Sequence, residues 1–470
     1  MSFSQHQIKT CWTDTLSAYL AQLRYEDIPP EVVQRVKQII LQVVGVSLAA
    51  AELPETRKAL ALAQTFNGGD CGSATAWGSS ICLSDENAAF FNGMMADALD
   101  WEDCAWTGHP SCGIIPTAWS VAETLQCSGK ELICAIVGAF ELYQRIAMAV
   151  QPTAQEQKEK GWGLCSWQIF GPVCAAVKLM GHSQKQINQA LSMATTCCVL
   201  PTSFHEFTKS DAYHFEHGFR NQTAIILAKC AKLGVDNLMD GLDDPAAFSM
   251  HFTAEETCSW YTRELGSKWY ITEMLLKRWP ANMWCQQELD LTERIFAAHQ
   301  LKPQDVEKII VSPATYKRMD RYPEGFSSIT QAQFNIPYVL AAMTHLGTPG
   351  ANWYTPEAMK NQEILAFAEK VVGEEGTLGS PAEGFARFKA GSYPEKTLTV
   401  VTKSGETYSQ TIQFPKGHPK NMFTMEESRN RFVQQSSACL SLSQTEAFLK
   451  DIEQLENVED VSTISKLLSC

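Results

Sequence analysis

Apolar residues recur three and four apart through most of the first 270 positions. Val33, Val36, Ile40, Val43 and Val44 follow Pro29-Pro30, and proline's fixed φ suits the first turn of a helix. The same period predicts helices over 87–99, 115–125, 131–150, 171–180, 183–194 and 221–233. Gly68-Gly69, Gly129, Gly181 and Gly234 punctuate them. Near residue 273 the pattern changes. "DVEKIIVSPAT" is a short β-branched run, and "KTLTVVTKSGETYSQTIQF" alternates on both sides of Ser404-Gly405, as a hairpin does. Between them, "QAQFNIPYVLAAMTHLG" has helical spacing. "TMEESRNRFVQQ" and "QTEAFLKDIEQLENV" then return to helix. The expectation is an α+β fold: a helical part over 1–272, an α/β module over 273–420, and a helical return over 421–470 that rejoins the first part.

Composition narrows the class. The chain has 470 residues, which suggests two domains. It is 45% apolar and 19% charged, ordinary for a globular protein. A net charge of −14, with no Lys/Arg-dense run, gives no footprint for nucleic acid. Two apolar runs stand out. "IILQVVGVSLAAA" is short for a bilayer and holds Gln42; "ICAIVGAFELYQRIAMAV" holds Glu141 and Arg145. Both read as buried core helices rather than membrane spans. None of the sixteen cysteines sits in a C-x-x-C pair, which argues against a cluster or a structural zinc site. The opening "MSFSQHQIKT" has no apolar signal stretch. The expectation is a cytoplasmic protein with reduced thiols and no metal.

Three stretches carry candidate chemistry. "DALDWEDCAWTGHPSCGIIP", residues 97–116, joins two predicted helices and holds Asp97, Asp100, Glu102, Asp103 and His109. A carboxylate beside an imidazole orients it and raises its pKa, as a general acid/base requires; a solvated helix end with a packing histidine is the alternative. "HEFTKSDAYHFEHGFRN", residues 205–221, holds three histidines, with His214 and His217 placed to share a helix face. It has no metal-ligand spacing, and Lys209 and Arg220 suit a cationic wall for substrate carboxylates. "KRWPANMWCQQ" begins at Lys277, at the apparent boundary, where a ligand cleft and a plain hinge are equal readings. "YKRMDRYP", residues 316–323, adds further cations. No GxGxxG follows a strand, and no P-loop or GxSxG is present.

Taken in order, the pieces of this chain resemble one family. "LRYEDIPPEVVQRVKQIILQVVGVSLAAA", "AAFFNGMMADALDWED", "GHPSCGIIPTAWSVAE", "GAFELYQRIAMAV", "RNQTAIILAKCAKLG", "LLKRWPA", "QAQFNIPYVLAAM" and "VVTKSGETYSQTIQFPKGHPKNMFTMEE" are similar to the MmgE/PrpD family, whose members include 2-methylcitrate dehydratase, cis-aconitate decarboxylase and iminodisuccinate epimerase. The resemblance implies a large helical domain built from both chain ends, with an inserted α/β lid, in a homodimer. It also implies cofactor-independent chemistry on small di- and tricarboxylates, by proton abstraction next to a carboxylate.

By that resemblance, the family aspartate of the "LD.DD" element falls on Asp100, with Asp103 as its later acid and Cys104 after it. The "HPS" histidine is His109, and the lysine opening "K.YP" is Lys277. The lysine before the "H.G" element matches Lys209, although a strict count gives Asp211. Two family histidines are replaced, by Gly163 within Gly161-Trp162-Gly163 and by Asn282. The resulting expectation is a lyase, dehydration first, with epimerisation, decarboxylation or a binding-only relative behind it. Asp100, His109, Lys209 and His214 would act in catalysis, with His109 oriented by Asp100. Asp103, Cys104, Arg220, Lys277 and Asn282 would hold substrate.

Overall fold

A computed structural model describes residues 11–68, 72–105, 107–150, 159, 167–198, 209–235, 239–244, 248, 255–315, 318–374 and 393–469. The fold is α+β and dominated by helices. Helices of ten residues or more are α1 (Trp12–Gln22), α2 (Pro30–Ala49), α3 (Pro54–Phe66), α4 (Asp85–Asp97), α5 (Pro110–Leu125), α6 (Gly129–Ala149), α7 (Phe170–Leu179), α8 (Gln184–Thr196), α9 (Ala212–Leu233), α10 (Gln286–His299), α11 (Ile336–Leu346), α12 (Met425–Ser436) and α13 (Leu442–Glu453). The strands are β1 (Ala74–Thr75), β2 (Cys82–Leu83), β3 (Asp103–Cys104), β4 (Leu275–Leu276), β5 (Val306–Ser312), β6 (Val371–Gly373), β7 (Lys396–Thr402) and β8 (Thr407–Ile412).

Helix starts follow local chemistry. Pro30 opens α2 as the proline pair predicts, and Ser128 with Glu131 forms a capping box at the start of α6. Helix α9 begins at Ala212, nine residues before the predicted start. It therefore carries His214 and His217 on helix, three positions apart, with both imidazoles buried. The predicted helix over 331–347 is broken instead. A five-residue helix, Ile329–Gln333, ends before Asn335, whose side chain accepts from Tyr338 N and caps α11. Pro337 suits the first turn of that helix, where its missing N–H costs no bond.

The two long apolar helices, α2 and α6, have the length and composition of membrane spans, but they are buried within the fold. Inside α6, Glu141 and Arg145 pair at 2.6 Å with both side chains wholly enclosed. One hydrophobic core joins the two ends of the chain: Leu16, Val36, Ile40, Trp119 and Ile146 share it with Phe432, Phe448 and Ile464. A second core joins Phe90, Phe91 and Met95 of α4 to Trp279, Ile309, Val339 and Val400. The four-stranded sheet runs β6-β5-β7-β8, parallel between β5 and β6 and antiparallel elsewhere. Gly405, at φ +90°, makes the turn between β7 and β8, which the alternating pattern predicts.

Three helices meet closely under the acidic stretch. A Cβ on Gly218 of α9 would lie 2.7 Å from the Phe90 carbonyl of α4, so the backbones approach only because that side chain is missing. Asn221 Nδ2 donates to Ala89 O at 3.2 Å and to Cys112 O at 2.9 Å, tying α4, α5 and α9 together. This junction fixes where α4 ends and α5 begins.

Candidate active site

The chain leaves α4 at Asp97 and turns at once. Asp100 adopts φ +48°, the left-handed region that aspartate tolerates better than most residues, and its N–H donates to Asp97 O at 2.8 Å. The turn feeds β3, which pairs with β4 so that Asp103 faces Leu276 and Cys104 faces Leu275. Lys277 follows β4 directly, and its N–H donates to Glu102 O at 2.9 Å. Two segments more than 170 residues apart thereby bring Asp100, Glu102 and Lys277 to one point.

The return to α5 is pinned as firmly. The Thr107 carbonyl accepts from Tyr143 Oη at 2.6 Å and from Trp167 Nε1 at 2.9 Å. Asp103 Oδ1 accepts from Ser111 Oγ at 2.6 Å and Ser111 N at 3.2 Å, holding the first turn of α5. His109 stands at the N-cap of that helix.

At the centre, the Lys277 ammonium pairs with Asp100 Oδ1 and, at 2.6 Å, with Glu102 Oε1. The same Glu102 oxygen lies 2.5 Å from His109 Nδ1, and Lys277 Nζ is 3.5 Å from that nitrogen. All four side chains are buried. His109 Nδ1 also lies 3.2 Å from Asp103 O, whereas Nε2 makes no hydrogen bond among the described residues. The imidazole is therefore oriented from one side only.

The charges follow from this geometry. Burial and Lys277 oppose a charged imidazole at His109, but Glu102 and Asp100 outweigh them and raise it to about 9. Burial works against an ionised Glu102, yet Lys277 and His109 hold it down at about 2. Burial would strip Lys277 of its proton, and the two carboxylates keep it charged. Asp103 is pushed up to about 6 by burial, only partly relieved by Ser111.

A second pair lies beside the first. His214 Nδ1 is 2.9 Å from Asp97 Oδ2, and its Nε2 is 3.1 Å from Thr330 Oγ1. Burial opposes the charged form of His214, but Asp97 raises its pKa. His217 is buried too and packs edge-on to His109, with ring centroids 6.5 Å apart. Burial, then Arg220 and His109, push it well below the usual histidine range, so it is neutral.

The structure thus gathers Asp100, His109, Asp103 and Lys277, with His214 adjoining through Asp97. It corrects the pairing expected from the sequence: the partner of His109 is Glu102, and Asp100 belongs to Lys277. The other expected residues have partners outside these ion pairs. Lys209 Nζ pairs with Asp320 at 2.8 Å, and Arg220 pairs with Glu216 at 3.1 Å on its own helix. The alternative match, Asp211, accepts from Thr330 N at 3.0 Å. Cys104 Sγ packs on Met283 Sδ at 3.2 Å, and burial pushes its thiol well up. Asn282 caps a short turn by accepting from Trp284 N. Gly163 and His205 lie outside the described residues. Glu102 and Asp97 stood in the acidic stretch as candidate acids, but no spacing rule shows which of four carboxylates meets which cation.

Two groups of three side chains have ligand-type atoms close together: Asp97, Glu102 and His109, and Asp97, Cys112 and His217. In the first, the Lys277 ammonium already sits where a cation would, 2.6 Å from Glu102. The second is wholly buried, and burial pushes its Cys112 thiol well up.

Two family models match this chain: the MmgE/PrpD N-terminal domain over residues 14–260 and the MmgE/PrpD C-terminal domain over 279–457. Relatives align along nearly the whole chain. A cis-aconitate decarboxylase from Homo sapiens is 23% identical over 469 residues, covering 97% of this chain and 94% of that protein. The cis-aconitate decarboxylase from Mus musculus is 22% identical, covering 97% and 93%. A cis-aconitate decarboxylase-like protein, oryM, from Aspergillus oryzae is 22% identical, covering 97% of each chain. With both domain models matched in order across most of its length, this chain belongs to the MmgE/PrpD family.

Proposed function

We propose that the protein is a lyase of small di- or tricarboxylates that works without metal or organic cofactor, with His109 as the group that transfers the proton. The observation that carries this reading is the buried contact of His109 Nδ1 with Glu102, beside Lys277. Anchored on that side, the imidazole presents Nε2 to whatever enters.

The charge state favours an acid over a base. An imidazole held to about 9 is protonated at neutral pH, so His109 begins the cycle as a donor. Loss of carbon dioxide from a conjugated acid suits one donor. The electron pair of the breaking C–C bond moves into the remaining carboxylate-conjugated system, carbon dioxide leaves, and one proton is added to carbon. The relatives named above are cis-aconitate decarboxylases, and that supports the same order: decarboxylation first. Dehydration, which the sequence alone puts first, is favoured by one observation. A second buried imidazole, His214, stands beside Asp97, and water loss needs a base at carbon as well as an acid at the leaving hydroxyl.

The same reading carries three further proposals: residues 273–420 act as the lid, the protein works as a homodimer, and it resides in the cytoplasm. The test is a panel of cis-aconitate, citrate and methylcitrate-type acids, followed by proton NMR and carbon dioxide release. Consumption of one acid with release of carbon dioxide or water supports the reading. Ligand-induced stabilisation without turnover indicates a binding-only relative. Neither effect with any acid overturns the proposal.

A further inference from the structure

Lys277 is gripped by its backbone as well as by its side chain. While its N–H donates to Glu102 O, its carbonyl accepts from Arg431 Nη2 at 2.8 Å and from Gln42 Nε2 at 3.1 Å. Gln42 comes from α2 and Arg431 from α12, so the two donors arrive from opposite ends of the chain. They are also joined to each other, with Arg431 Nη2 donating to Gln42 Oε1 at 2.9 Å. Gln42 Nε2 reaches the Trp101 carbonyl as well, one residue before Glu102. Arg431 Nη1 and Trp101 Nε1 converge on the Arg278 carbonyl, at 3.1 Å and 2.7 Å.

One donor satisfies a buried carbonyl, but those of Lys277 and Arg278 each receive two. Arg431 makes no ion pair among the described residues; it spends its fork on main-chain and amide oxygens and stacks over Phe423 at 4.2 Å. Gln42 holds both segments, through the Trp101 carbonyl just before Glu102 and through the Lys277 carbonyl, while Arg431 holds the Lys277–Arg278 backbone and Gln42 itself. A small movement there changes the distance from the ammonium to Glu102 and His109.

We propose that Gln42 and Arg431 are positioning residues that brace the Lys277 backbone and thereby fix its ammonium against Glu102 and beside His109. The proposal rests on the function given above and adds two residues that touch no substrate. Arg431 borders a cavity of about 880 Å³, so shortening it leaves space and creates no clash.

The test uses Arg431→Lys and Gln42→Met, neither of which changes the charge of the site. Arg429→Ala is the control, because Arg429 is an exposed residue paired only with Glu453. Two readings are taken on the full chain: steady-state kinetics on the acid found to turn over, and an NMR titration of His109. Both variants are expected to lower kcat by roughly ten- to hundredfold with KM nearly unchanged. Both are also expected to move the His109 midpoint upward, because Lys277 is a charge that lowers it. Folded variants with wild-type kinetics and a wild-type midpoint overturn the brace. A wild-type Arg431→Lys alone also overturns it, because charge without the fork would then suffice. If Arg431→Lys does not fold, Gln42→Met decides by the same two readings. If the wild type turns over no acid, the proposed function fails, and the titration alone decides the brace: a moved midpoint supports it and an unmoved one overturns it.

Discussion

His109 Nδ1 rests 2.5 Å from the Glu102 carboxylate, while Asp100 is held by Lys277. The two carboxylates therefore have different jobs. Glu102→Gln removes the larger of the two charges that keep the imidazole protonated, leaving Asp100 alone against burial and Lys277. Turnover at neutral pH should fall by roughly 10²–10⁴, the contribution of a positioned acid. Asp100→Asn should cost less, because Lys277 keeps Glu102. Parallel kinetics on the two variants check the order, and a larger loss for Asp100→Asn would reinstate the pairing expected from the sequence.

The pH dependence has a definite sign. His109 is raised from 6.5 to about 9, so the fold favours its protonated form. Its contribution to stability is full below about 6.5 and is lost as pH rises through about 9. Turnover should fall over the same upper range, as the donor loses its proton. Denaturant midpoints and kcat/KM measured from pH 6 to 10 should both decline. His109→Gln should remove that part of the stability slope.

Asp97 and His214 form a buried pair that one substitution breaks. Asp97→Asn leaves an imidazole without its counter-charge and should destabilise the fold by about 3–5 kcal/mol. Thr330→Val takes away the hydroxyl that faces Nε2 and also reaches Asp211 Oδ1, and should cost about 1–3 kcal/mol. Urea unfolding of both variants gives the comparison.

Gly218→Ala tests the helix junction. The added Cβ would meet Phe90 O at 2.7 Å, so α4 and α9 must part. A loss of about 1–3 kcal/mol is expected, as for overpacking elsewhere. His214 should move away from Asp97 with it, visible as a downward shift of the His214 titration.

The sequence made some of this legible and hid the rest for physical reasons. The long apolar runs revealed α2 and α6, because a helix buried on nearly every side is apolar nearly all round. It misplaced the start of α9, where "AYHFEHGFRN" mixes polar and aromatic residues and the polar His214 and His217 are buried beside the site. The break at Asn335 was readable from the cap and from Pro337, but "FNIPYVL" kept an apolar spacing through it. Within the site, Asp100, Asp103 and His109 were visible because they share one short connection. Lys277 stood at the apparent boundary as cleft or hinge, and the family resemblance gave it a role in the site. Which carboxylate meets His109 depends on the left-handed turn at Asp100 and on a strand pair closed across more than 170 residues, and no local pattern records either. Arg220 was selected for charge and Lys209 for charge and through the family resemblance, and neither signal shows their partners, Glu216 and Asp320.

The most direct test of the central claim is where solvent hydrogen goes. The wild type and His109→Gln are incubated in deuterium oxide with the acid that turns over, and the product is read by NMR. The account predicts one deuterium on the product carbon with the wild type, and product formation lost in His109→Gln while its circular dichroism stays native. Equal turnover and equal deuterium in the two proteins would show that His109 does not transfer the proton.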